Sequence, residues 1–348
     1  MNAPPELCRR WLQLGAYYPY SRSHNTLHAT DQDPGYWAEV GFPEVTQSAV
    51  AALRVRYQLL HYLYTVFYHA HTTGSTVVRP MHHVFPHDEA SRSIDHQFFL
   101  GGSLMVNPFL FEVSRSQLCD FLNQRLFILL KLSFPPFSPL QHQTTVRAHI
   151  PLGTRWHRMK GDFVDHSPEA FFAEFHEEES HRPLLLREGT IFPMVGEAQL
   201  PSPLNTVNLR KAPIELWVLP HHQISDFEAS GELFWDDGDS IDSIEKGAYN
   251  LYDFAFEKCK LTVSAAHHGF KAAAGSSEVL KLSAIHIALP LGHATVDRVT
   301  IDGLATTKFT AVNHTVKIEA NNLDLLKLSK PVTVEIANSK TGCVFKHL

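Results

Sequence analysis

The 348-residue chain lacks the features that mark several large protein classes. Its four cysteines contain no CxxC pair, so they indicate neither a zinc site nor a dense disulfide framework. Charged residues make up only 19% of the chain and the formal net charge is -6, which gives no electrostatic basis for binding nucleic acid or an anionic membrane surface. The first residues show no basic stretch followed by an apolar segment, so we predict no signal peptide in this chain.

Phenylalanine and proline are plentiful, at 23 and 21 residues, which favours a β-rich protein with many turns. Two segments carry the helical period, residues 5–14 and residues 45–73, and Gly74 ends the second. Beyond residue 144 most apolar runs are short and bounded by turn signals, which is typical of antiparallel sandwiches. The predicted strands lie at 146–151, 184–186, 191–195, 214–219, 231–235, 249–256, 261–265, 279–289, 294–301, 315–318 and 332–336.

Residues 113–143 interrupt the β pattern with an apolar and then proline-rich segment. The apolar part is well short of the roughly 20 residues that cross a bilayer and contains Arg125 and Lys131, so we predict no membrane helix. Phe, Leu, Ser and Pro are encoded by pyrimidine-rich codons, and their concentration before Gln143 resembles a translated polypyrimidine tract that ends at a CAG acceptor. We therefore favour a retained intron over a genuine insertion for this segment.

An acidic cluster, Asp236-Asp237-Gly238-Asp239, is the first candidate for chemistry, because crowded carboxylates raise one another's pKa. Its flanks, a GELFW run and a β-type run, favour a hairpin turn instead, and its spacing does not match an EF-hand. Phe234 and Trp235 are candidates for stacking on a sugar, but alternate positions of a sandwich core explain them more simply.

The 23 histidines raise the question of a metal site. Adjacent pairs occur at 82–83, 221–222 and 267–268, and neighbouring side chains on a strand point to opposite faces. His69 and His71 diverge on a helix. Because zinc needs three or four converging ligands, we predict no metal site, and nothing in the sequence indicates a cofactor.

Three stretches resemble one known family and follow its order. Residues 6–25, ELCRRWLQLGAYYPYSRSHN, resemble an ELCxRWxQLGAFYPFxRNHN block late in a (β/α)8 barrel. Residues 53–80 look like the next helix and the last barrel strand, and residues 231–242, GELFWDDGDSID, are similar to a signature turn of a distal β-domain. A weaker stretch at 186–193 resembles an LRAGYIIP strand. The family is glycoside hydrolase family 31, in its α-glucosidase branch of lysosomal acid, maltase and sucrase type.

The resemblance covers residues 4–112 and 144–260, and only β character links the remainder to the family. It implies a mainly β fold, in which the end of a (β/α)8 barrel is followed by two antiparallel β-sandwich domains. The implied boundaries are 1–80 for the incomplete barrel, 81–200 for the proximal domain with its insert at 113–143, and 201–348 for the distal domain.

Retaining glycosidases need two carboxylates, one as nucleophile and one as acid/base. The resemblance implies aspartates on earlier barrel strands for both roles, and the WxDMNE-type motif of the nucleophile is absent from this sequence. We therefore predict no catalytic residue here and no activity of the chain alone. His24 matches the family histidine that hydrogen-bonds the sugar at the cleavage site; the alternative is a loop histidine packed among Tyr17, Tyr18 and Tyr20.

Three hypotheses for function remain. The chain is the C-terminal portion of a retaining α-glucosidase acting on terminal α-linked glucose of oligosaccharides, a non-catalytic module that binds carbohydrate or another polypeptide, or a non-functional truncated product. The first implies the lysosome or secretory pathway. Cys8 looks like the partner of an upstream cysteine that this sequence does not contain, and Asn313 opens the one sequon.

Overall fold

The computed structural model describes residues 3–110, 145–159, 163–164, 171–176, 182–221, 227–272, 279–289, 296–312, 314–338 and 343. The segment 113–143 and the sequon at Asn313 lie outside the described residues. Within them more residues lie in strands than in helices, which confirms the predicted mainly β fold.

The helices are α1 Pro5–Gly15, α2 Tyr36–Glu39, α3 Pro43–Gln58, α4 Leu60–Thr73, α5 Met81–Val84 and α6 Thr206–Leu209. The strands are β1 Val78–Pro80, β2 Phe98–Leu100, β3 Leu104–Val106, β4 Thr145–Ile150, β5 Trp156–Arg158, β6 Phe163–Val164, β7 Phe171–His176, β8 Leu184–Arg187, β9 Thr190–Val195, β10 Ile214–Leu219, β11 Ala229–Trp235, β12 Asn250–Glu257, β13 Lys260–His268, β14 Lys281–Ala288, β15 Arg298–Ile301, β16 Leu304–Thr306, β17 Phe309–Val312, β18 Thr315–Asp324 and β19 Val332–Ala337.

The helix predicted over 45–73 is in fact two helices, because the chain bends at Leu59. The Leu59 N–H donates to two carbonyls, those of Val55 at 3.2 Å and Arg56 at 3.1 Å. On either side of the bend, α3 packs on α1 while α4 packs on β9 and β11. The predicted end is correct: Gly74 adopts a left-handed φ of 72°, which glycine tolerates best.

The strands within the described ranges form three sheets. A six-stranded sheet has the order β1-β2-β3-β8-β5-β6, and β4 pairs with β7. An eleven-stranded sheet has the order β16-β15-β19-β13-β12-β11-β9-β10-β14-β18-β17. Most neighbours are antiparallel, as expected, but β10 runs parallel to β14 and β11 meets β9 in parallel. The sheets therefore differ from the expected purely antiparallel sandwiches by these two parallel pairings.

The largest core lies within the eleven-stranded sheet, and β12 shows how the sequence builds it. Tyr252, Phe254 and Phe256 are buried, with relative exposures of 0%, 1% and 1%, while the residues between them face outward. This alternation is the period of two that a half-buried strand requires. Each of these rings contributes on the order of 2–3 kcal/mol by leaving water.

A disulfide joins Cys259 to Cys343, with the two Cα atoms 5.5 Å apart and a sequence separation of 84. Cys259 lies in the tight turn between β12 and β13, where Lys258 and Cys259 both have positive φ angles, of 49° and 66°. Cys8 is buried and free. No helix in the described part of the chain is long and apolar enough to cross a membrane.

Candidate functional site

The loop that carries His24 follows α1 and is fixed by one arginine of α3. Arg56 donates from Nη1 to the carbonyls of Ala16 at 2.8 Å and Tyr18 at 2.6 Å, and from Nη2 to that of Pro19 at 3.1 Å. Three bonds from a rigid, planar guanidinium define the path of the chain into the loop.

His24 itself is exposed, and its Nδ1 lies 3.1 Å from the Asn25 carbonyl oxygen. The surrounding loop is closed by Ser23, whose hydroxyl donates to the Gln32 carbonyl at 2.6 Å, and by Asn25, whose amide donates to the Ala29 carbonyl at 3.0 Å. With Nδ1–H donated to Asn25, Nε2 of the neutral ring accepts a hydrogen bond from a hydroxyl, and the protonated ring donates one.

The acidic cluster forms a turn, as predicted. Asp236 is buried, at 1% exposure, and its carboxylate accepts hydrogen bonds from the Tyr64 hydroxyl, the Ser243 hydroxyl at 2.6 Å and the Gly238 amide at 2.8 Å. Asp237 accepts from the hydroxyl and amide of Ser240, and these bonds hold its pKa below its usual value. The hydrogen bonds of these carboxylates fix the conformation of the chain between β11 and β12. That connection, residues 236–249, is longer than the tight hairpin turn we expected.

Phe234 and Trp235 are core residues rather than a sugar platform, with exposures of 2% and 1%. The Tyr68 ring of α4 stacks on Phe234 with centroids 4.6 Å apart. The Arg210 guanidinium lies 4.2 Å from the Trp235 ring centroid, and its Nη2 donates to the Asp236 carbonyl at 2.5 Å. Both aromatic faces are therefore covered by protein.

Among the described residues, the histidines singled out from the sequence do not converge. His69 lies 2.9 Å from Glu232 and His71 lies 3.0 Å from Glu245, so the two point to different carboxylates, as expected for neighbours on a helix. The pair at 82–83 lies in helix α5, which corrects the prediction of a strand there. Across the described ranges, no group of three or more potential metal ligands comes together.

Sequence reasoning missed the role of Tyr64. The helical period places it with the apolar residues of α4, yet its hydroxyl donates to the buried Asp236 carboxylate across 172 positions. An aspartate in a turn rich in small residues signals a capped loop, but periodicity carries no information about which distant hydroxyl binds it.

Two family models match the chain. One is described as the glycosyl hydrolases family 31 TIM-barrel domain and covers residues 1–66; the other, the glycosyl hydrolase family 31 C-terminal domain, covers residues 74–120. The helical segment and the start of the six-stranded sheet thus correspond to the end of a barrel and to the domain that follows it.

Characterised relatives extend the match. The chain is 34% identical over 262 residues to the lysosomal alpha-glucosidase of Rattus norvegicus, which covers 73% of the chain and 24% of that protein. It is 33% identical over 283 residues to the intestinal sucrase-isomaltase of the same species, covering 79% of the chain and 12% of the relative. The alpha-glucosidase of Hordeum vulgare is 32% identical over 266 residues, with 74% and 24% covered.

Solved structures show the same fold. The glucosidase II alpha subunit in its Glc1Man2-bound form superposes with a TM-score of 0.68 at 24% identity, over 97% of this chain and 34% of that one. The GH31 dextranase of Flavobacterium johnsoniae gives 0.65 at 18%, over 96% and 37%. The architecture is thus that of the C-terminal portion of a glycoside hydrolase. The chain belongs to glycosyl hydrolase family 31, and it spans about a quarter of the length of its lysosomal relatives.

Proposed function

We propose that this chain is the C-terminal portion of a retaining α-glucosidase that releases terminal α-linked glucose from oligosaccharides. The chain supplies the end of the barrel, the sugar-contacting loop with His24 and the β-domains. It supplies neither catalytic carboxylate, so hydrolysis requires the earlier part of a family barrel. Support comes from the identity with α-glucosidases, in family order, over most of the chain.

The exposed apolar face of the barrel-end helices carries this proposal. Leu7 and Trp11, one turn apart on α1, are 44% and 59% exposed, and Val50 and Leu53 on α3 are 50% and 37% exposed. Helices of soluble proteins normally bury such stripes against a neighbouring layer. The stripe lies within residues 1–66, the part similar to a TIM-barrel domain, which supports packing against further barrel elements.

In the complete enzyme, His24 orients the sugar by a hydrogen bond to one of its hydroxyls. The Arg56 bonds to the preceding carbonyls fix the loop before substrate arrives, so little ordering entropy is lost on binding. A bond of this kind, with a charged or strongly polar partner, changes affinity by about tenfold or more. Such a role speeds the reaction if the bond is stronger in the transition state than in the ground state.

A chimera tests the proposal. The part of the rat lysosomal alpha-glucosidase that precedes its matched region is fused to this chain, and kcat/KM is measured on a chromogenic α-glucoside. We expect hydrolysis, and we expect His24→Asn to lower kcat/KM at least about tenfold. His28→Asn is the matched control, since His28 is exposed in the same loop and asparagine tolerates its φ of 65°. An active chimera in which both variants behave alike would contradict the role of His24.

Compartment and boundaries belong to the same proposal. The Cys259–Cys343 disulfide and the similarity to a lysosomal enzyme support an oxidising compartment, either the lysosome or another part of the secretory pathway.

The domain boundaries at residues 80 and 200 and the retained intron at 113–143 stay predictions. Sequencing transcripts across Glu112 and Thr144 tests the intron, and finding the segment in most spliced messages would refute it.

A further inference from the structure

A cleft of about 610 Å³ opens where α4 crosses between the two larger sheets. Its walls come from α4, from the turn between β2 and β3, and from the strands β9, β11 and β12. The volume falls in the range of small-molecule sites, roughly 300–1,000 Å³. His24 does not line this cleft, and neither does the Asp236 turn.

Two carboxylates share one wall of the cleft. Glu232 on β11 and Asp253 on β12 are direct cross-strand partners, so their side chains project from the same face of the sheet. Like charges in that arrangement destabilise a sheet. His69 offsets one of them, with its Nε2 2.9 Å from Glu232. Asp253 has neither a hydrogen bond nor an ion pair with any described residue, and burial raises its pKa.

Another part of the lining offers hydrogen-bond donors and space for a ligand. Arg79 uses Nε to bond the Thr76 carbonyl at 3.1 Å, and its guanidinium has no carboxylate partner within the described ranges. Gly101 and Gly102 form the adjoining turn. A Cβ at Gly101 would lie 2.5 Å from the Tyr62 hydroxyl oxygen, and φ there is 63°, so only glycine fits. At the edge of the cleft, this turn therefore presents backbone atoms that no side chain covers.

We propose that this cleft binds a short neutral saccharide. Each sugar hydroxyl both donates and accepts hydrogen bonds, and the walls offer acceptors on Glu232 and Asp253 and donors on Arg79 and His69. The two carboxylates disfavour an anionic ligand. Although His69 lies beside Glu232, these residues do not converge as a group of three metal ligands within the described ranges, which disfavours a metal ion. The inference concerns binding alone, so it goes beyond the proposed hydrolytic function and does not depend on it.

The affinity of such a site is modest. The aromatic residues of the lining, such as Phe192 and Phe254, are buried at 1% exposure and present little stacking surface. Polar bonds in an open cleft compete with water, so each adds little net free energy. We expect a dissociation constant on the order of 1 mM.

The test is calorimetric titration of the whole 348-residue chain with maltotriose, after each variant is shown to keep the thermal midpoint of the parent. We expect millimolar binding that Asp253→Asn and Arg79→Gln each weaken about tenfold. Glu319→Gln is the control, because Glu319 is an exposed strand carboxylate outside the cleft, and it should change affinity less than about twofold. If Asp253→Asn does not fold, Arg79→Gln alone carries the test.

Three results would overturn the inference. They are the absence of any binding at about ten times the expected dissociation constant, binding that neither cleft variant weakens, and binding of spermidine with no binding of maltotriose, which would mark a cation site. The outcome is independent of hydrolysis by the chimera. If maltotriose does not bind while the chimera hydrolyses its substrate, only the proposed cleft site is refuted. If maltotriose binds while the chimera is inactive, only the proposed hydrolytic function is refuted.

Discussion

The hydroxyl of Tyr64 donates to both carboxylate oxygens of Asp236, at 3.0 and 2.9 Å. Tyr64 lies on the helix that ends the barrel segment, and Asp236 lies in the signature turn of the eleven-stranded sheet. Burial and the bond to Asp236 raise the pKa of Tyr64, so the phenol stays protonated and donates across the physiological range. This contact ties the helical segment to the distal β-structure.

Removing that hydroxyl is expected to destabilise the chain. In Tyr64→Phe the buried Asp236 loses one donor and keeps those of Ser243 and Gly238, so the expected loss is roughly 1–3 kcal/mol of unfolding free energy. Urea unfolding followed by tryptophan fluorescence measures it. Tyr20→Phe is the control, since Tyr20 is 78% exposed, and it should cost less than about 0.5 kcal/mol. Equal midpoints for the two variants would show that the contact contributes nothing.

Gly231 of strand β11 is required for steric reasons. A Cβ there would lie 2.0 Å from the Ile191 carbonyl oxygen, because β11 and β9 approach closely at this point. We expect Gly231→Ala to lower the unfolding free energy by at least about 2 kcal/mol, since backbone must move to admit the methyl group. Ser230→Ala, one residue earlier on the same strand, should stay near the parent. A stable Gly231→Ala protein in the same urea titration would mean that the strands separate at little cost.

Acid is expected to destabilise the chain through His61. Burial, and secondarily the charge of Arg210, lower the pKa of His61 to about 4 from 6.5, and its Nε2 is buried without a partner. The folded state therefore favours the neutral ring. Its contribution is fully present above pH 6.5 and is lost as the pH falls from 6.5 towards 4.

Comparing urea unfolding at about pH 7.5 and about pH 4.5 measures the loss of unfolding free energy that comes from protonating His61. We expect that loss to be roughly 2–3 kcal/mol. His61→Phe, which keeps a ring against Trp235, should remove most of that difference, whereas His87→Phe at an exposed site should not. An undiminished acid sensitivity in His61→Phe would assign the effect to other groups, among them His157, whose pKa burial lowers to about 3.

The disulfide is expected to stabilise the distal sheet. Cys343→Ser opens a link that spans 84 positions, and we expect a loss of about 2–4 kcal/mol in unfolding free energy. Cys8→Ser, at a buried free thiol, serves as the control for thiol loss. If adding a reductant lowers the midpoint of the parent and leaves that of Cys343→Ser unchanged, the effect belongs to this bond. A Cys343→Ser protein as stable as the parent would contradict it.

Local signals predicted much of the fold. The run at 214–219 coincides with β10, and Gly74 ends α4, because a short apolar run and a left-handed glycine are properties of neighbouring residues. The bend at Leu59 was not predicted, since it depends on which surfaces α3 and α4 meet in the folded chain. The Cys259–Cys343 bond depends on the pairing of β13 with β19, which periodicity does not reveal.

The candidate sites divide in the same way. His24 was found by resemblance to a family motif, and its exposure in the structure leaves it free to meet a ligand. The cleft of Glu232 and Asp253 was not predicted from the sequence, because only the register of β11 against β12 brings the two carboxylates side by side on one face of the sheet. An acidic residue at an outward position of a strand is otherwise an ordinary surface residue.

The most direct measurement is hydrolysis of a fluorogenic α-glucoside by the purified chain alone, with the folded state verified by a cooperative unfolding transition. We predict no release of glucose above the rate of the substrate in buffer, because a retaining α-glucosidase needs two catalytic carboxylates and we propose that this chain supplies neither. Turnover that follows the chain through purification and scales with its concentration would contradict this prediction. It would require a catalytic pair within these 348 residues.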